Sequence, residues 1–569
     1  MKVFPRGQAA VDLTQRDFIA QGGEGKIFIK NGVAYKIYEN PADMIPEGKI
    51  RELATLVDPH IIKPELPILD AKNKLIGYTM KYVDNAIALC MLFTKTYRTA
   101  NHITPEVMND LVRKLQALVN YVHKRSILII DLNELNFLVD QLYKSIYAID
   151  VNSYSTKNYP ATVIMPSVQD RHSTTFNEGT DWFSFGVVSF QMLTGIHPYQ
   201  GNHPDFKHLP VNERLEERMK KNVSVFHKDA TWPAAAQSFD LIPPILRSWY
   251  EAVFERGERI APPDDYAAAV AVIAKIKAIV GSNLFMIEPL GEYEGSILDI
   301  RVSGPSRIVH TDKCIYLNKQ KIDYSNNKLK IGFTQRMNRP VGAYLDDKTV
   351  KIIDIVKMTT HTLGYGDDLF AYGNRLYVKN GDSISEVVFT EFGDTYIPTT
   401  KVVGQVNDLP HATKVCDGVV IQSLLGRFFA MIFPDSGVSH QIPLPELDGF
   451  RLIDAKYEHQ VLVTVVEKAG VYDRFVFRFA SNFKAYDTRK TEKVSYSGIN
   501  FTVGDHGACI LMNEDEKIEL FAAQNAGDIK IMDDPALDSD MRLYHDGAKI
   551  LFVKTNRNMS KLFSITMRK

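Results

Sequence analysis

The sequence predicts a multidomain chain: an α+β part built in two lobes, followed by an all-β domain. Three observations carry this. The 569 residues are too many for one hydrophobic core. Residues 9–85 alternate short β-like runs with turns around one helical stretch near 43–57, whereas residues 100–280 are mostly of helical pattern. After residue 290, short runs rich in Val, Ile, Tyr and Phe recur between polar or glycine turns, and long amphipathic patterns disappear. The expected domains are 1–85, 86–283 and 284–569.

In the helical lobe, Leu111, Leu115, Leu118, Val119 and Val122 fall at helix spacing, as do Phe185, Val188, Met192 and Leu193. Residues 264–280 predict a last helix, stopped by Gly281-Ser282-Asn283. In the third domain, runs such as Thr349–Ile355, Arg375–Val378, Arg427–Phe433, Gln460–Val465 and Lys549–Val553 are evenly spaced. At about 40–45 residues per four-stranded unit, this span predicts a β-propeller of six or seven blades, with sandwiches or a solenoid as the alternatives.

Hydrophobic content is 45% and charged content 24%, ordinary values for a globular chain. A formal net charge of −1 argues against a nucleic-acid partner. Cys90, Cys314, Cys416 and Cys509 lie far apart without a C-x-x-C, so neither a disulfide framework nor a structural zinc site is expected. The N-terminus lacks a long apolar run, and no stretch has eighteen consecutive apolar residues. Neither a signal peptide nor a membrane span is therefore expected, and the cytoplasm is the expected location.

The most informative stretch is 121–138, in which Asp131 and Asn136 stand five apart between the apolar runs Ile127–Ile130 and Phe137–Val139. That is the layout of a phosphotransferase loop: a carboxylate takes the proton of an attacking hydroxyl, and a carboxamide holds Mg²⁺ beside it. Upstream, 20–27 (Ala-Gln-Gly-Gly-Glu-Gly-Lys-Ile) lies between two β-like runs. Glycines there let backbone N–H groups approach phosphate, although alone the segment reads as a hairpin turn. Lys36 follows Gly25 by eleven residues inside an apolar strand, an uncommon place for an unpaired ammonium. It is a candidate for the nucleotide phosphates, with a strand-edge lysine as the bland alternative. Its carboxylate partner would come from the helix near 43–57, Glu47 in preference to Glu52. Asp150 ends a β-like run nineteen residues after Asp131, a suitable place to present a carboxylate to Mg²⁺. Asp181 opens an apolar helix whose Trp and Phe residues should be core, and it could cap that helix.

In this order the pieces resemble the protein-kinase superfamily over residues 10–280, in detail bacterial or phage Ser/Thr-kinase-like proteins with extra C-terminal domains. The resemblance implies a bilobal kinase-like fold and a nucleotide site. Gly22, Gly23, Gly25 and Ile27 match the glycine-rich loop, with Ala20 in place of its first glycine. Lys36 matches the β3 lysine, with Ala34 on the same strand. Met80 matches the gatekeeper, and Lys81, Tyr82 and Val83 the hinge that meets adenine. Asp131 matches the catalytic base, and Asn136 and Asp150 the metal ligands. Asp181 would also brace the catalytic-loop backbone, and Arg259 looks like the family's C-lobe arginine. The departures are specific. Ile129-Ile130 replace His-Arg, which weakens the case for activation by loop phosphorylation. Asn133 stands where protein kinases usually carry a lysine at the γ-phosphate. Asp150-Val151-Asn152 replaces Asp-Phe-Gly, and Ser167-Val168-Gln169 sits near the place of Ala-Pro-Glu.

The implied function is a Mg-ATP-dependent Ser/Thr protein kinase acting on protein substrates, itself included. Its C-terminal β domain would recognise a partner or substrate, with no nucleic acid or membrane involved. A pseudokinase scaffold and a small-molecule phosphotransferase are the alternatives. All of Lys36, Asp131, Asn136 and Asp150 being present weighs against the first, and Asn133 leans slightly toward the second.

Overall fold

The computed structural model describes residues 1–21, 25–40, 43–161, 164–233, 236–264, 281–408, 412–424, 426–468, 470–495, 498–523, 529–547, 549–555 and 558–568. The helix expected over 264–280 thus falls almost wholly outside the described residues, as do Gly22 and Gly23. The chain divides into two compact units. One is Met1–Val272 with the short segments Lys468–Tyr472 and Glu492–Ser497, and the other holds the remainder.

The first unit opens with a seven-stranded antiparallel sheet. Its order is Val11–Asp12, Lys2–Pro5, Pro67–Leu69, Leu75–Lys81, Val33–Tyr38, Gly25–Lys30 and Phe18–Gln21. The strand Val33–Tyr38 is nearly all buried, and its register sets Lys36 opposite Ile27 on one side and Tyr78 on the other. Gly25 and Gly77 flank it because a Cβ at either would run into the backbone carbonyl of Ile37 or Lys36. Val3, Leu13, Phe18, Phe28, Tyr35, Ile37 and Ile68 form the core beneath.

Among the described residues six α-helices follow: α1 (Glu47–Leu53), α2 (Lys95–Ala100), α3 (Pro105–His123), α4 (Glu178–Thr194), α5 (Val211–Lys220) and α6 (Pro244–Phe254). Thr104 caps α3 and Pro105 takes its first turn, where a missing N–H costs nothing. The expected apolar stripe of α3 is its buried face, including Leu111, Leu115, Leu118, Val119 and Val122. α4 is buried almost throughout, and Trp182, Phe183 and Phe185 are core as expected. Its cap is Asn177, in a reciprocal capping box with Thr180, rather than Asp181. Asp181 lies one turn in, so its carboxylate is free for other work. Gly195 ends α4 at φ 78°, donating its N–H to Gln191 O. A three-stranded antiparallel sheet, in the order Ile146–Ala148, Phe137–Val139 and Ile87–Ala88, joins the two strands between α3 and α4 to one that precedes α2.

The second unit contains seven four-stranded antiparallel sheets. Six are consecutive in sequence, from Ile297–Ile322 to Phe501–Met532. The seventh combines Arg542–His545, Ile550–Thr555 and Met559–Met567 with Phe285–Glu294 from the start of the unit. Apolar clusters join neighbouring sheets, for example Ile308 and Ile315 with Ile331 and Ile353, and Leu462 and Phe477 with Val419 and Ile432. Another joins Leu551 and Leu562 of the seventh sheet to Ile300 and Val309 of the first. No helix among the described residues is long and apolar enough to cross a membrane.

Candidate active site

The loop between α3 and the strand Phe137–Val139 is held from below by Asp181. This fully buried carboxylate accepts the backbone N–H of Ile129 (2.8 Å) and of Ile130 (2.8 Å), and pairs with His123 Nε2 at 2.9 Å. Ile130 adopts φ 63°, a costly conformation for a β-branched residue, and the two N–H bonds hold it there. The bracing role inferred for Asp181 from the family resemblance is the geometry found.

Asp131 follows directly. Its carboxylate accepts Met165 N–H (2.8 Å) and Asn136 Nδ2–H (3.2 Å), and Asn136 Nδ2 also reaches Asp131 O at 2.9 Å. Burial raises the Asp131 carboxyl above the ordinary aspartate range. The Met165, Asn133 and Asn136 bonds pull the other way, and neighbouring Asp150 adds to the rise. Asn133 is buried, with Oδ1 accepting Leu135 N–H at 2.8 Å and Nδ2 3.4 Å from Asp131 O. It therefore stiffens the loop rather than reaching outward as a lysine there would.

Asn136 O accepts Ile149 N–H at 2.9 Å, which sets the end of the strand Ile146–Ala148 beside the loop. Asp150 comes next, at φ 56°, opening a short 3₁₀ turn, Val151–Ser153. Lys36 Nζ crosses from the sheet to Asp150 Oδ1 (3.1 Å) and to Asn152 Oδ1 (3.3 Å). The same Asn152 oxygen accepts Tyr78 O–H at 2.7 Å, and the Tyr38 ring lies 5.2 Å from the ammonium. Asn152, which stands in place of the family's glycine, is thus buried and orients the lysine. Its neighbour across the sheet, Tyr78, gave no sequence signal, because only the pairing of Lys36 with Tyr78 brings them together.

Glu47 is not brought to Lys36 by any bond described here: both its oxygens are taken by Arg6, at 2.5 and 2.7 Å. Glu52 is held by Asn158 at 2.5 Å. The reason is helical phase. The buried face of α1 is Lys49, Ile50 and Leu53, and positions 47 and 52 fall off it. Ala34 is buried opposite Met80, while Lys81 is exposed with Nζ 3.2 Å from Pro59 O, and Tyr82 O–H reaches Asp84 at 3.3 Å. Tyr82 and Val83 are half-buried. Ala20 pairs with Ile27 across the hairpin whose tip, Gly22 and Gly23, lies outside the described residues.

Arg259 makes a two-pronged ion pair with Asp170, Nε to Oδ2 at 2.6 Å and Nη2 to Oδ1 at 2.7 Å. Asp170 directly follows Ser167-Val168-Gln169, so the acidic end of that segment is one residue beyond the motif sought in the sequence. Burial alone would raise the Asp170 carboxyl, but the Arg259 bonds and the His172 amide leave it lowered.

An alignment of 207 residues relates this chain to ribosomal protein S6 kinase alpha-2 of Homo sapiens at 28% identity, covering 32% of this chain and 27% of that protein. Ribosomal protein S6 kinase alpha-3 of Mus musculus aligns with the same figures. Over that stretch, about a third of its length, the chain is similar to these kinases. The chain spans about a quarter of the length of these curated relatives. Among solved structures, the Cydia pomonella granulovirus kinase PK-1 matches with a TM-score of 0.28 and 16% identity, over 36% of this chain and 80% of that one. No protein-family model matches the chain.

The donors gathered here fit a hard cation. Asn136 spends its amide nitrogen on Asp131, which leaves the amide oxygen, and Asp150 keeps one oxygen beyond the Lys36 bond. Oxygen ligands few in number suit Mg²⁺ bound together with a phosphate chain.

Proposed function

We propose that the protein is a Mg-ATP-dependent Ser/Thr protein kinase. The single observation that carries this is the Lys36–Asp150 pair at 3.1 Å, with Asp150 a neighbour of the bonded Asp131 and Asn136. It puts an ammonium suited to phosphate beside a carboxylate suited to Mg²⁺, next to a braced candidate base. Asp131 would accept the proton of the attacking hydroxyl, oriented by the Met165 and Asn136 N–H groups. Lys36 would hold the nucleotide's phosphates, and the 20–25 hairpin would cover them, with Ile27, Ala34, Met80, Lys81, Tyr82 and Val83 around the base. Asn136 and Asp150 would hold Mg²⁺, which when bound neutralises phosphate charge. Catalysis by such a constellation is positioning and electrostatics rather than covalent chemistry.

The second unit reads best as a seven-bladed β-propeller. The support is the run of apolar clusters between successive sheets, together with the sharing of Phe285–Glu294 with the last sheet. Rigid sheets with variable turns suit recognition of a protein partner or substrate.

The deciding experiment is γ-phosphoryl transfer from labelled ATP with Mg²⁺, beside Asp131→Asn. Label on the protein or on a generic protein acceptor, lost at least about 100-fold in the variant, is expected. Nucleotide binding without transfer would favour a scaffold role or a small-molecule acceptor instead.

A further inference from the structure

Three side chains of the second unit converge from three successive sheets. His459 follows the strand Arg451–Glu458, Asp505 follows Phe501–Val503 by two residues, and His545 ends Arg542–His545. Each stands at the exit of an edge strand of its sheet. Their ligand-type atoms all lie within 4.8 Å of one another, and the two imidazole rings are 5.2 Å apart, edge to face.

We propose that His459, Asp505 and His545 bind a divalent transition-metal ion of the zinc class. Two imidazoles and one carboxylate are a donor set that such ions take, with bonds of about 2.0–2.2 Å, hence donors about 3.4 Å apart in a tetrahedron. His459 and Asp505 are exposed, so closing from the present spacing to that one would not disturb a packed core.

An independent observation is the support behind His545. Its Nδ1 lies 2.7 Å from Glu458 Oε1, which also accepts Thr502 O–H at 2.7 Å and Val503 N–H at 3.1 Å. Lys456 Nζ is 3.5 Å from the other oxygen. Fixing Nδ1–H on an anchored carboxylate fixes the tautomer and leaves Nε2 as the ligand, the outer support that metal-binding histidines ordinarily carry. A histidine kept only for packing has no need of it.

The site borders a cavity of about 520 Å³, lined by His459 and Asp505 with Tyr372, Tyr457, Phe483 and His506. Three protein ligands leave a fourth position open, as in sites that bind or activate a further ligand rather than purely structural ones. A second cluster, His203, His227 and Asp229, is a natural control, because His203 Nε2 and His227 Nδ1 are already bonded to each other at 3.0 Å.

The test uses the full chain, untagged and chelator-stripped, titrated with Zn²⁺ against a chromophoric chelator and with Co²⁺ by visible absorption. One saturable ion per chain is expected. His459→Ala and Asp505→Asn, both at exposed positions, should weaken it by at least ten-fold, and Glu458→Gln by about 10–100-fold. His227→Ala should leave it unchanged. Absence of saturable binding overturns the proposal. So does binding that survives His459→Ala and Asp505→Asn, or binding lost in His227→Ala.

Discussion

A single carboxylate does the most for the candidate catalytic loop, and it is not the candidate base. Asp181 has no exposed surface and serves two backbone amides and an imidazole at once. An asparagine in its place has one acceptor oxygen and cannot serve the three donors. Hydrogen bonds to a charged group contribute about 1.5–3 kcal/mol each, so Asp181→Asn should cost about 3 kcal/mol and misplace Asp131 with it. The expected result is a lower melting temperature and, on the proposed function, a kcat loss larger than any change in KM for ATP. A kcat equal to wild type would remove Asp181 from the positioning machinery. Lys36→Met makes the opposite contrast. The Asp150 side chain is 37% exposed and is rehydrated when its partner leaves. Stability should therefore change by under about 1 kcal/mol, while on the proposed function nucleotide affinity and transfer collapse. Thermal melts with and without ATP separate the two effects.

Between elements, the Asp170–Arg259 pair ties the segment before α4 to the chain beyond α6. The Asp170 side chain is 2% exposed and its pair is two-pronged, so removing one partner strands the other charge. Asp170→Ala should cost about 3–5 kcal/mol in the first unit. Its pH dependence has a definite sign. A carboxyl lowered below its ordinary value of 3.8 stabilises the fold above that value, and this is lost as pH falls through the lowered one. Wild type should thus show an extra loss below about pH 4 that Asp170→Ala lacks, measured as denaturation midpoints across that range. Elements also mark what the sequence could reveal. The Asp131–Asn136 spacing, the Lys36 strand and the α3 and α4 stripes were legible, since each is a local pattern. The place of Glu47 was not, because it depends on which face of the seven-residue helix α1 turns inward. Asp170 escaped because its partner is 89 positions away. Tyr78 escaped because only the sheet register brings it to Lys36, and Asn152 because its partner Lys36 is 116 positions away.

At the scale of the whole molecule, strand periodicity foretold the second unit's sheets, but not that the seventh would borrow Phe285–Glu294 from the unit's start, a pairing that spans the entire domain. Both units also share an acid weakness that composition hides. His197 in the first unit and His310 in the second are buried, and burial lowers each to about 4 from 6.5. His197 belongs to the loop after α4, with Nε2 2.8 Å from Ser167 O. Between those two values the unfolded chain binds protons that the folded units refuse. Stability should be fully present above about pH 6.5 and fall as pH drops toward 4, by on the order of 2–3 kcal/mol per histidine. Calorimetric scans at about pH 7.5, 6 and 4.5 should show every transition moving down on acidification, most steeply below 6.5. His197→Gln should flatten the response of one transition only, since a glutamine amide can still donate to Ser167 O but has no proton to gain. Midpoints that stay level across this range would mean that water reaches both rings, and that burial does not hold them neutral.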